Sequence, residues 1–178
     1  ETVHLTPEKV TIYSPDKKEV KRDKFTVDWD VESASKGGYD HFMLKEIHEQ
    51  PTAIKDTLLR RLDENGKIKL DDIKLTKEDL EKISKVYIVA CGTAYNAGLV
   101  GRYAIEKFAQ IPVEPDIASE FRYREPFIDQ NTLLIVISQS GETLDTLAAI
   151  REAKRKGARI LSVTNVVGSS VARESDDV

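Results

Sequence analysis

The chain is 178 residues long, 40% hydrophobic and 33% charged, with a formal net charge of -4 and a pI near 5.5. That length buries one real core plus a small appendage, and the acidic balance excludes the clustered basic face that nucleic-acid binding needs. A single cysteine, Cys91, cannot close an intrachain disulfide, which fits the reducing cytoplasm.

The longest apolar runs, such as Leu133 to Ile137, are strand-sized and far short of the roughly 20 residues that cross a bilayer, so no membrane partner is expected. The chain opens at Glu1 without an initiator Met and closes at Asp177 and Val178, where another strand is expected to begin. It reads as a piece of a longer protein.

At the amino end, Val10 to Tyr13 alternates, Ser14-Pro15-Asp16 supplies turn chemistry, and Phe25, Val27 and Trp29 alternate again. This predicts a thin antiparallel unit over residues 1–32, the closing strands of a larger sheet. Lys17, Lys18, Lys21, Arg22 and Lys24 form the densest basic run, but Asp16, Glu19 and Asp23 interleave it, so it reads as a solvated face. Residues 33–38, Ser-Ala-Ser-Lys-Gly-Gly, read as a linker.

A second domain is expected over 39–178. Met43, Ile47, Ile54 and Leu58 share a helical face, interrupted by Pro51. Thr76 then N-caps a second helix, with Leu75 and Leu80 in the staple positions. Strand and helix alternate beyond it: strand Val86–Ala90, helix Ala94–Gln110, strand Val113–Ala118, a short helix Glu120–Tyr123, strand Leu133–Ile137, helix Thr143–Lys156 stopped by Gly157, and strand Arg159–Val163. Continuous Val/Ile/Leu strands separated by helices predict an α/β fold, a doubly wound parallel sheet of three layers with a short N-terminal β appendage.

In such sheets ligands bind where the carboxyl ends of strands hand over to helix N-termini. Two loops occupy that place: Cys91-Gly92-Thr93-Ala94, and Ser138-Gln139-Ser140-Gly141-Glu142-Thr143. Two readings fit the second. Its hydroxyls, its amide and the N–H groups of the following helix can hold a phosphate monoester, with Gly141 admitting a close approach; alternatively Ser140 or Thr143 simply caps the helix.

Neither a P-loop nor a G-x-G-x-x-G pattern occurs, which disfavours a nucleotide. Cys91 stands at a helix start, yet His4, His41 and His48 all lie in the N-terminal third, so it reads as a small packing residue and not a nucleophile. His41 and His48 share a helix face without a cysteine or acidic cluster to complete a metal set; no metal and no cofactor is expected.

Cys91-Gly92-Thr93-Ala94-Tyr95 and Ser138 to Thr146 resemble the two sugar-phosphate loops of the SIS (sugar isomerase) domain in the glucosamine-6-phosphate synthase family. Ala118-Ser119-Glu120-Phe121-Arg122-Tyr123, the stretch Lys36 to Met43, Lys45-Glu46-Ile47, Glu49-Gln50-Pro51, and Asn165 with Gly168-Ser169-Ser170 are similar to further segments of that family. The resemblance covers nearly the whole chain. It implies an enzyme that transfers the glutamine amide nitrogen to fructose 6-phosphate and isomerises the product to glucosamine 6-phosphate, acting in the cytoplasm as a homodimer.

Carried over by position, Ser138, Gln139, Ser140, Gly141 and Thr143 hold the phosphate, and Cys91, Gly92 and Thr93 line the sugar. Ala94 stands where many relatives have Ser, leaving only a backbone N–H there. The glutaminase nucleophile and the isomerase Glu, His and Lys residues of the family fall outside this chain, so no residue here is assigned a catalytic role. Two other readings are a regulatory phosphosugar-binding SIS domain, which a neighbouring helix-turn-helix would favour, and an aldose-ketose phosphate isomerase, which needs a Glu and a His in the loops. No His follows His48.

Overall fold

The structure, a computed structural model, describes residues 1–23 and 35–178. They form two compact units, Glu1–Leu62 and Asp63–Val178. In the first, β1 (Thr2–Leu5), β2 (Val10–Tyr13) and β3 (Glu19–Val20) make an antiparallel sheet in the order β1-β2-β3. A turn at Ser14–Lys18 closes the second hairpin: Lys17, at φ 62°, donates its N–H to the Ser14 carbonyl at 2.9 Å.

β1, four residues long like β2, was not singled out in the sequence reading, while β3 lies inside the run read as a solvated face. The expected strand holding Phe25, Val27 and Trp29 lies outside the described residues, as do Ser33 and Ala34 of the expected linker.

The helix α1 (Phe42–Leu59) continues through Pro51, correcting the expected interruption. Proline removes a single ladder bond, and at this exposed position the turns on either side keep the helix continuous. Met43, Ile47, Ile54 and Leu58 do share its length, but all four are exposed, and Lys45 is the buried residue.

In the second unit Thr76 caps α2 (Lys77–Lys82) in a reciprocal box. Its hydroxyl accepts the Asp79 N–H at 3.2 Å, and the Asp79 carboxylate accepts the Thr76 N–H at 3.0 Å. Four parallel strands follow, β4 (Lys85–Ala90), β5 (Val113–Ile117), β6 (Thr132–Ser138) and β7 (Arg159–Thr164), ordered β5-β4-β6-β7. Helices α3 (Thr93–Ala109), α4 (Ala118–Tyr123), α5 (Leu144–Arg155) and α6 (Ser170–Glu174) connect or follow them. Only α6 has no counterpart in the sequence reading; five residues with one Val are too few for a helical pattern.

Alternation along each strand divides the core between two faces, as the doubly wound reading requires. Tyr87, Val89, Leu134, Val136 and Ile160 pack against Phe121 of α4, Leu147 and Ile150 of α5 and Val171 of α6. Val86, Ile88, Leu133, Ile135 and Ile137 form the other cluster, with Ile105 of α3. That side admits its helix very closely: a Cβ on Gly98 would lie 2.9 Å from Cγ2 of Ile88.

The outer strand β5 offers no donors along its free edge. By its register with β4 the outward positions are 113, 115 and 117. The Val113 N–H is taken by Glu106 at 3.2 Å, residue 115 is a proline, and the Ile117 N–H is taken by Asp116 at 2.9 Å. A blocked edge of this kind resists pairing with another chain.

On the opposite flank, β7 is engaged by the buried Asp177, which bridges Leu161 in parallel. Its carboxylate accepts the Lys74 N–H at 2.6 Å and the Arg159 guanidinium at 2.8 Å, and its carbonyl accepts the Ser162 N–H at 2.9 Å. Burial pushes this carboxyl up, but Arg159 and the Lys74 N–H outweigh it and hold the group below the usual aspartate value.

Two outcomes follow from this packing. Gly98→Ala should lower the unfolding free energy of the α/β unit by about 1–3 kcal/mol, the usual cost of overpacking, read from urea titrations. A depressed folded-state value means that Asp177 stabilises above the ordinary aspartate value of about 3.9 and ceases to do so as pH falls below it. Asp177→Asn should therefore cost about 1–3 kcal/mol at pH 7, and progressively less as pH falls through the lowered folded-state value.

Candidate functional site

β4 and β6 pair in parallel with Ala90 opposite Ile137, so the two central strands end level and their following loops stand side by side. A cavity of about 170 Å³ lies between them, lined by Cys91, Thr93, Ala94, Ile137, Ser138, Gln139, Ser140, Thr143 and Thr146. Seven of the nine expected site residues line it. The two glycines do not, and each has a backbone role.

Gly92, at φ 59° and ψ -138°, turns the chain from β4 into α3 at the N-cap position. Gly141, at φ 66°, is buried against the loop after β7, where a Cβ would lie 2.1 Å from Oγ of Ser169 and 3.0 Å from Oγ1 of Thr164. Thr146 and Ile137 were missed. Thr146 lies three residues after Thr143 on α5, so helical spacing alone carried the signal.

The helix starts facing the cavity have no side-chain caps. Thr143 occupies the N-cap position of α5, but its side chain makes no capping bond, and α3 starts on Gly92, which has none to offer. The simple capping alternative is thereby removed for Thr143. The starts of α3 and α5 both border this space, where helix dipoles favour negative charge.

The serine hydroxyls are polarised toward donation. Oγ of Ser138 accepts the Gly141 N–H at 3.0 Å and Oγ of Ser140 accepts the Glu142 N–H at 3.3 Å. Each hydroxyl proton is then free to point at an acceptor in the cavity. Cys91 is half-buried, with Sγ 3.9 Å from Oγ1 of Thr146, and acts as part of the wall.

Among the described residues no lysine, arginine or carboxylate lines the cavity. The arrangement is thus a cradle of neutral donors suited to a small anion with several acceptor oxygens.

Residues 79–178 match the SIS domain family. The chain belongs to the SIS domain family. It is 64% identical along its whole length to the glutamine–fructose-6-phosphate aminotransferase (isomerizing) of Clostridium tetani, and 63% identical to that of Clostridium acetobutylicum. It spans 29% of each of these relatives. Among solved structures, the C-terminal domain of glucosamine-fructose-6-phosphate aminotransferase from Francisella tularensis is 48% identical, with a TM-score of 0.72 over 80% of this chain and 39% of that one.

Other surfaces of this SIS domain hold less promise. A broader groove of about 460 Å³ lies at the amino ends of β4 and β5, away from the starts of α3 and α5, and its charges neutralise one another: Lys85 with Glu114 at 3.0 Å, Arg102 with Glu106 at 3.2 Å. Among the described residues no cluster of His, Cys, Asp or Glu could hold a metal ion. Of the two histidines expected to share a helix face, His41 is the N-cap of α1 and His48 stacks on Tyr39, with centroids 5.4 Å apart. No helix among the described residues is long and apolar enough to cross a membrane.

Gly141→Ala should shift the backbone amides of Ser138, Ser169 and Ser170 and destabilise the unit by about 1–3 kcal/mol through strain and overlap. Gly92→Ala, whose Cβ would meet nothing within 4 Å, should leave those amides in place and add only the backbone term. Two-dimensional NMR of both variants separates the effects.

Proposed function

We propose that this chain forms the fructose 6-phosphate half-site of a glutamine:fructose-6-phosphate aminotransferase. The whole enzyme moves the amide nitrogen of glutamine onto fructose 6-phosphate and isomerises the product to glucosamine 6-phosphate. The observation that carries this reading is the donor set of the cavity: hydroxyls of Ser138, Ser140 and Thr143, the Gln139 amide and two uncapped helix starts, with no fixed charge of either sign among the lining residues. Whole-chain identity to curated aminotransferases of that name supports the choice of substrate.

In this reading the phosphate dianion sits at the start of α5. Ser138 and Ser140 donate to its oxygens, while the helix dipole offsets its charge. Thr143 and Gln139 complete the shell. The α3 start, with Cys91, Gly92 and Thr93, borders the sugar, and Ala94 contributes its backbone alone. The task of this segment is to bind and orient, leaving bond-making to residues elsewhere in the enzyme.

The same reading divides the chain into closing strands of a glutaminase-type domain over 1–32, a linker over 33–38 and the first part of an SIS domain over 39–178. It places the enzyme in the cytoplasm as a homodimer.

Fructose 6-phosphate titrated into isotope-labelled protein should move the amides of Gly92, Ser140 and Gly141, and unphosphorylated fructose should not. Ser138→Ala should weaken binding roughly tenfold to a hundredfold, the loss of one hydrogen bond to a charged group. Equal shifts with both sugars, or unchanged affinity in Ser138→Ala, would remove the phosphate from this loop.

A further inference from the structure

The hydroxyl loop has a second side, turned away from the cavity. The start of α6 presents four N–H groups that lie outside the intrahelical ladder, and that of Ser169 donates to the Val166 carbonyl at 3.3 Å. Ser169 satisfies one from within its own segment: its hydroxyl accepts the Ala172 N–H at 3.4 Å. The other two are satisfied by the loop. The Glu142 carboxylate accepts the Ser170 N–H at 2.8 Å, and the Gly141 carbonyl accepts the Val171 N–H at 2.9 Å. Gly141 also lies flush against Ser169, leaving no room for a side chain.

We infer that Glu142 is a positioning residue: by capping α6 from a distance it fixes the Ser138–Thr143 loop in the form that receives phosphate. The inference rests on the binding role proposed above for that loop.

Glu142 joins the two sides within one residue. Its backbone N–H is held by Oγ of Ser140, and its carboxylate is held by the Ser170 N–H. The Ser140 hydroxyl can aim at the cavity only while residue 142 stays in place. The neighbouring Gly141 N–H orients Ser138 in the same way.

The direction of the carboxylate matters as well. Turned toward α6, it keeps a negative charge out of a site meant for a dianion, where like charge would repel the ligand. The charged side chain facing it from α6 is Arg173, which donates to the Gly168 carbonyl and, at 2.8 Å, to Oγ of Ser170, stiffening the turn that Glu142 grips. The bond to Ser170 holds the Glu142 carboxyl below the usual glutamate value. The grip therefore persists at neutral pH and is released in acid, as pH falls through that lowered value.

Two measurements on the full chain test this. In the parent protein an acid titration followed by NMR should move the Ser170, Ser140 and Gly141 amides through one common transition, and E142Q should abolish it. Movement of Ser170 without the loop amides, or the same transition in E142Q, would overturn the proposal whether or not any ligand binds.

Calorimetry with fructose 6-phosphate should find E142A weakened roughly five- to tenfold. E142Q should recover part of the loss, because its amide oxygen still accepts, and the thermal midpoint of E142A should fall by only a few degrees, the cost of one lost cap. Parent affinity in E142A would overturn the positioning role. Absence of binding in the parent would count against the phosphate reading, leaving the ligand-free titration to decide the role of Glu142.

Discussion

The level pairing of β4 with β6 is the constraint on which the site depends. Ala90 and Ile137 are partners in the ladder, so the chain leaves both strands at the same height and enters α3 and α5 from adjacent points. A shift of two residues in that register would preserve the facing of every side chain, but would set one loop roughly 7 Å above the other and open the cavity between them. The register is held by burial on both sides of the sheet. Tyr87, Val89, Leu134 and Val136 are enclosed on one face, and Val86, Ile88 and Leu133 on the other.

Side chains close two of the helix starts among the described residues and leave those of α1, α3, α4 and α5 without a side-chain cap. The starts of α2 and α6 are closed by side chains, Thr76 with Asp79 in the first and Ser169 with Glu142 in the second. The starts of α3 and α5 beside the cavity have no side-chain cap. Neutral donors make chemical sense for a phosphosugar. A lysine or arginine would hold the anion more tightly, whereas hydroxyls and amides give directional contacts at a modest binding energy and allow release.

The two flanks of the four strands are engaged differently. Unpaired strand edges invite association. β5 silences its outward N–H groups with Glu106, Pro115 and Asp116, while β7 is engaged by Asp176 and Asp177: their N–H groups donate to the Ile160 carbonyl, and the Ser162 N–H returns to the Asp177 carbonyl. The side chain of Asp177 then joins the lead-in segment at Lys74 to Arg159 of β7 through one buried carboxylate.

The sequence alone was enough for the α/β class, the four central strands, the helices between them and the location of both loops, because each is written in contiguous periodicity and local capping chemistry. Thr76 with Asp79, and Gly157 after α5, are signals of that kind. Pro51 misled because proline's local cost can be absorbed within an eighteen-residue helix. α6 stayed hidden because five residues carry no helical period.

Only the tertiary structure decided that Thr146 joins the cavity wall, that Gly141 is excluded from it, and that Glu142 faces α6. Those outcomes depend on contacts between β6–α5 and β7–α6, segments separated along the chain and brought together by strand pairing, a relation that no local pattern of residues encodes.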